Sequence, residues 1–235
     1  MRQLQNNPIF KNLIKSNQGF TIIEILVALV LMSLVFALAI SDPFSNSEDL
    51  DKQSNDLERA VRFMSDEATL RNSVVRLHFM LNKEPQEYAV EYGPTDNFVL
   101  PPEPEFETVV VTKEEEEKLA KQNKELNMKF NKVQEFQESN AEIYESVKVI
   151  GIGNASSNKL KTTGDMSIYA FPSGEKDDAL IILANEQSVI TLEINPFNRK
   201  IEKKTQKLEL KETSDIAEVQ AAKAKEIFEL WMKDR

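Results

Sequence analysis

From Phe20 to Ile40 the chain reads FTIIEILVALVLMSLVFALAI, an unbroken apolar run whose single ionisable residue is Glu24. As a helix this run would be about 30 Å long at 1.5 Å per residue, the thickness of the hydrocarbon core of a bilayer. The pattern breaks at Ser-Asp-Pro-Phe-Ser-Asn-Ser, where Pro43 and the small polar residues predict a kink or short interruption. Helical spacing resumes over 48–70. Leu57, Ala60, Val61, Met64 and Ala68 recur three and four positions apart, with Glu58, Arg59, Arg62 and Asp66 on the other side. At 73–81 the period changes to two. Val75, Leu77, Phe79 and Leu81 point one way, and Val74, Arg76 and His78 the other, which predicts a strand. A turn over 82–86 leads to a returning strand with Tyr88, Val90 and Tyr92. Further strands are predicted at 147–152, 166–171, 179–184 and 188–194, the last two joined by a hairpin turn at Asn185-Glu186-Gln187. Phe171-Pro172-Ser173-Gly174 reads as a turn. A long helix followed by antiparallel strands defines an α+β fold.

Two segments interrupt this plan. Over 107–146, Leu119, Leu126, Phe130, Val133 and Phe136 lie near helical spacing among many Glu and Lys. They predict a solvated, partly helical insertion, with a partner-binding or capping arm as the alternative. Pro94, Pro101, Pro102 and Pro104 precede it as an extended linker. The tail over 213–233 is helical in pattern, with Ile216, Val219, Ala222 (or Lys223), Ile227, Leu230 and Trp231 as its apolar stripe, read as core packing.

Charge and composition exclude more than they assign. There are 29 Lys+Arg against 39 Asp+Glu, a net charge of −10, which argues against a nucleic-acid partner. With no Cys, the chain has no disulfide, thiolate zinc site or Cys nucleophile. Its one His, His78, removes multi-His metal sites and is read as an exposed strand residue. None of the six Gly forms a phosphate-cradling loop. Asp177-Asp178 and the Glu114–Glu117 run read as solvated turn and helix charges, and no calcium-loop spacing is present. No catalytic residue, cofactor or metal site is assigned, and no enzyme activity is expected.

The flanks of the apolar run differ in sign. Arg2, Lys11 and Lys15 precede it without an acid, whereas Asp42, Glu48, Asp49 and Asp51 follow it before the first Lys. That asymmetry predicts a cytoplasmic N-terminus and an exported remainder. The run is longer than a secretory signal's apolar region and lacks a clear small-x-small site after it. A signal-anchored periplasmic enzyme or binding protein is the rival reading. It leaves Glu24 unexplained, because a carboxylate within a membrane helix costs on the order of 3 kcal/mol on insertion scales. No Lys or Arg lies within the run, so a positive partner has to come from another chain or from a newly created charge.

The junction Lys15-Ser16-Asn17-Gln18-Gly19-Phe20-Thr21-Ile22-Ile23-Glu24-Ile25-Leu26 resembles that of type IV prepilins and type II secretion pseudopilins. The resemblance implies a leader, 1–19, cut after Gly19 by a membrane-embedded prepilin peptidase, with methylation of the new N-terminal Phe20. It implies that Glu24 faces the cationic α-amine of a neighbouring subunit during assembly. Losing Arg2, Lys11 and Lys15 would deepen the net charge from −10 to −13. The block RAVRFMSDEATLRNSVVRLHF, the Tyr-containing strand, Phe-Pro-Ser-Gly, ALIIL and a strand ending in Asn195-Pro196 are similar to the minor pseudopilins called type II secretion system protein H. That resemblance implies a pilin-like fold: a transmembrane and filament-core helix (20–40), a continuing helix (41–70), a β-rich domain (71–212) carrying the 93–146 linker and insertion, and a C-terminal helix (213–235). It implies a single-pass inner-membrane protein with a periplasmic domain, assembled with other pseudopilins near the filament tip. The inner-membrane assembly platform, membrane lipid and secreted cargo would be its other partners. A minor type IV pilin serving adhesion, pilus assembly or DNA uptake is the neighbouring alternative.

Overall fold

The computed structural model describes residues 21–39, 45–94, 121–136, 141–209 and 215–235, and for 34–39 and 45–46 the backbone alone. The chain divides into two units, Met1–Asp42 and Pro43–Arg235. In the first, helix α1 spans Ile22–Ala39. Thr21 caps it, because the Glu24 N–H reaches both the Thr21 carbonyl, at 3.0 Å, and the Thr21 hydroxyl, at 3.3 Å. A Thr-x-x-Glu start satisfies one of the orphan donors of the first turn and puts a carboxylate near the positive end of the helix dipole. Pro43 and its neighbours over 40–44 lie outside the described residues, as do 95–120 and 137–140.

In the second unit, helix α2 spans Ser45–Arg71. The strands are β1 (Val75–Met80), β2 (Glu87–Tyr92), β3 (Asn131–Lys132), β4 (Ala141–Glu142), β5 (Lys148–Asn154), β6 (Lys159–Lys161), β7 (Asp165–Ala170), β8 (Ala179–Ala184), β9 (Ser188–Ile194) and β10 (Glu202–Lys207). Helix α3, Ile216–Lys233, ends the chain. All pairings are antiparallel. One sheet runs β3-β2-β1-β7, with β4 also on the outer edge of β2, and the other runs β10-β9-β8-β5-β6. The α+β class with antiparallel sheets is as the alternation of the sequence predicts.

Helix α2 lays its apolar stripe across one face of both sheets. Leu50, Leu57, Ala60, Val61, Met64 and Ala68 are buried in one core with Val75, Leu77 and Phe79 of β1 and Ile181 and Leu183 of β8. Register keeps like with like: Leu77 stands between Val90 and Ile168, and Ile181 opposite Leu192. Such pairs stabilise a sheet through contact on its buried face. The two sheets are tied by Gln86, whose amide accepts from the Val149 N–H at 2.8 Å and donates to the Val149 carbonyl at 3.2 Å.

The second sheet is buried on both faces, which is why ALIILA of β8 is continuously apolar rather than alternating. Leu180, Ile182 and Ala184 face α3, together with Ile150 and Val189. A bulge in β5 between Val149 and Gly151 adds Ile150 as an extra residue. It turns Gly151 and Gly153 toward α3. An ideal Cβ on Gly153 would lie 2.6 Å from Phe228 Cδ2, so bare backbone there makes room for the helix, whereas one on Gly151 would meet Leu160 Cδ1 of β6 at 2.8 Å and the Ala224 Cβ at an ordinary 3.6 Å.

Three sequence expectations are corrected by these contacts. The apolar stripe of α3 is Ala224, Ile227, Phe228 and Trp231, with buried Gln220, whereas Ile216 and Leu230 are exposed. Gly153 of β5 leaves the room that Phe228 fills, and the Gln220 amide donates to the Asn185 carbonyl at 3.0 Å. Phe130, Val133 and Phe136 are not helical: the helix at 121–127 stops, and β3 pairs with β2. Asp177 and Asp178 are half-buried. Asp177 accepts from the Tyr169 N–H at 2.9 Å, and Asp178 meets Arg235 at 3.2 Å. The Phe171–Gly174 turn forms as expected, with Gly174 at φ 84°, where a side chain would be strained.

Candidate functional site

The first candidate surface is α1. Ile22, Ile23, Ile25, Leu26, Val27, Leu29, Val30, Leu31 and Met32 are all more than half exposed. Apolar residues surround the helix rather than forming a stripe, a pattern suited to an apolar environment on every side. Glu24 is exposed in the first turn and forms no ion pair among the described residues. Gly19 and Phe20, the expected cleavage and methylation positions, lie outside the described residues. Among the described residues no helix is long and apolar enough to cross a membrane.

The second candidate is a polar cluster on the face of the first sheet opposite α2. His78 is buried there, at 5% exposure, rather than exposed as its outward strand position predicts. Arg76 is 1% exposed and stands opposite Glu91 in register. Its guanidinium meets the Glu91 carboxylate at 2.6 Å, and His78 Nδ1 lies 3.2 Å from the same oxygen. Burial pushes the Glu91 carboxyl up, but the His78 hydrogen bond and the Arg76 charge outweigh it, and the net shift is downward. The roof is Phe130, whose ring centroid is 4.0 Å from the Arg76 guanidinium carbon. Phe130 sits where a Cβ of Gly93 would fall, 2.7 Å from its Cε1. The segment around β3 therefore acts as a cap on this sheet. Phe136 continues it onto α2 by stacking on Phe63 at 4.9 Å.

This cluster has the geometry of a structural ion pair. The carboxylate is held by two donors, and His78 Nε2, without a hydrogen bond, lies 3.8 Å from Asp165. No group of His, Asp and Glu among the described residues has the arrangement of a metal site. Sequence periodicity placed Arg76 and His78 on the outer face. It did not reveal the cover, because Phe130 reaches them from about fifty residues away along the chain.

Comparison with known families bears on α1. Residues 14–40 match the model of the prokaryotic N-terminal methylation motif, the prepilin signal of type IV pilin-like proteins. The matched stretch contains Gly19, Phe20, Thr21 and Glu24. No curated protein and no solved structure matches the chain. The chain thus carries a type IV pilin-type methylation signal ahead of an α+β unit with antiparallel sheets.

Proposed function

We propose that this chain is a minor pseudopilin, a structural subunit of a type II secretion pseudopilus. The observation that carries the reading is the methylation motif over 14–40 on a chain whose remainder packs a long helix on antiparallel sheets. In this reading the apolar run 20–40 anchors the precursor in the inner membrane, N-terminus inside, with the α+β unit in the periplasm. Prepilin peptidase cuts after Gly19, and the α-amine of Phe20 is methylated.

Cleavage supplies the charge that the run lacks. The new α-amine is cationic, and in an apolar surrounding a carboxylate–ammonium pair is far stronger than in water. Glu24 of one subunit facing the amine of the next would offset the cost of a buried acid only in the assembled filament, so the pair sets register. The exposure of every apolar side chain described in α1 supports this: the helix surface is left for lipid or for other subunits. The subunit then contributes packing and geometry rather than chemistry. The similarity of the 59–79 block and of the Phe-Pro-Ser-Gly and ALIIL segments to type II secretion system protein H supports the choice among pilin-like proteins.

Mass spectrometry of the membrane-extracted protein, from cells with and without prepilin peptidase, tests the reading. The expected product starts at N-methyl-Phe20 and appears only with the peptidase. An intact Met1 in both strains, or a cut beyond Ile40, would overturn it.

A further inference from the structure

A second kind of site lies where α2 meets the turn between β9 and β10. Lys176 is 5% exposed there. Its ammonium donates to the Asn198 carbonyl at 3.2 Å, and no carboxylate forms an ion pair with it among the described residues. A buried ammonium whose acceptor is a neutral carbonyl keeps its charge uncompensated, which is costly unless an anion arrives. Burial first, and then the charge of Arg199, push the Lys176 amine below its ordinary value.

Beside it is a narrow cleft lined by Val61, Arg62, Ser65, Lys176, Arg199 and Ile201. Its volume is about 10 Å³, the space of one water-sized atom. Arg62, Lys176 and Arg199 supply its cationic lining. Glu58 holds Arg62 and Asp66 holds Arg199, but neither acid lines the cleft, so the charge left over there is that of Lys176. Val61 and Ile201 supply apolar walls, which strengthen any charge pair made inside. In the turn beyond, the Asn195 and Asn198 side chains accept from the N–H groups of Phe197 and Lys200 at 3.2 and 2.9 Å.

We propose that this cleft binds a carboxylate, one oxygen entering beside Lys176 while Arg199 and Arg62 grip the group at the rim. The cleft holds about one water-sized atom, so a single oxygen enters and the rest of the group lies at the rim. The group is either a free small acid or an Asp or Glu side chain of a neighbouring chain, and the same donors would read both.

The test uses the full chain in detergent, titrated with sodium acetate against sodium chloride at equal ionic strength. Binding is followed by the thermal midpoint and by the NMR signals of Lys176 and Arg199. Acetate is expected to act saturably where chloride does not. Arg199→Gln, a change at an exposed side chain that leaves the fold intact, should weaken acetate about 10-fold, or about 1.4 kcal/mol. Lys176→Met should abolish the effect. Loss of self-association in sedimentation at saturating acetate identifies a neighbour's side chain as the occupant, and unchanged sedimentation identifies a free acid. Indistinguishable acetate and chloride curves, equal acetate affinity in wild type and Arg199→Gln, or binding of phosphate but not acetate would overturn the proposal.

Discussion

The ring of Phe228 occupies the space that a side chain at position 153 would need: a Cβ on Gly153 would lie 2.6 Å from Phe228 Cδ2. The C-terminal helix is seated on β5 by this missing side chain. Gly153→Val should therefore destabilise the protein by about 1–3 kcal/mol through overpacking, and Phe228→Ala by about 3–5 kcal/mol through the cavity it leaves. Trp231, the only tryptophan, is buried beside Phe228 with ring centroids 5.9 Å apart. Its fluorescence during guanidinium unfolding reports directly on this interface. A Gly153→Val variant as stable as wild type would show that α3 can dock elsewhere.

The Arg76–Glu91 pair makes a pH prediction. The folded Glu91 carboxyl titrates below its ordinary value of 4.5, so it binds protons less readily folded than unfolded. Its contribution is fully present above the unfolded value and is lost as pH falls through the folded one. Denaturant midpoints should drop below pH 4.5, and Glu91→Gln should flatten that part of the profile. The same variant leaves Arg76 buried without its counter-ion and should cost about 3–5 kcal/mol at neutral pH. An unchanged acid limb in Glu91→Gln would assign the loss to other carboxylates.

Phe130 holds the cap over Arg76 and His78. Phe130→Ala should cost about 3–5 kcal/mol if the cap stays in place, and less if it detaches. Hydrogen exchange separates the two: the amides of Asn131 to Val133 should lose protection before those of β1. The Val133 N–H, which donates to the Val90 carbonyl at 2.9 Å, is the amide to follow. Equal protection in variant and wild type would mean that β3 pairing alone holds the segment.

Glu24→Ala should leave unfolding of the α+β unit unchanged, because Glu24 belongs to the other unit of the chain. It should impair co-assembly with other subunits, read by cross-linking in membranes. Thr21→Ala removes the hydroxyl that accepts from the Glu24 N–H and should cost helix α1 about 1 kcal/mol without preventing assembly. Normal assembly of Glu24→Ala would sink the pairing argument.

Local pattern was enough for much of this molecule. The buried stripe of α2, the inward set Val75, Leu77 and Phe79, the β8–β9 hairpin and the Phe171–Gly174 turn all follow from spacing. The α2 stripe and the β1 face repeat an apolar residue at the period of their own element, and the hairpin and the turn are marked by neighbouring turn residues, so a short window contains the signal. The methylation motif is as local, a run of neighbours from Gly19 to Glu24. β10 has no such signal: Glu-Lys-Lys-Thr-Gln-Lys is exposed at every position, and only pairing with β9 makes it a strand.

The sequence by itself determined the α+β class, the inner face of β1 and the N-terminal signal, because those depend on residues a few positions apart. Tertiary structure decided which residues of α3 are buried, what becomes of Phe130, and that Arg76, His78 and Lys176 lie away from water. Each of these turns on a partner far along the chain: Gly153 for Phe228, Gly93 for Phe130, and Asn198 with α2 for Lys176. A side chain's burial depends on what covers it, and for these residues the cover is a distant segment that no local period records.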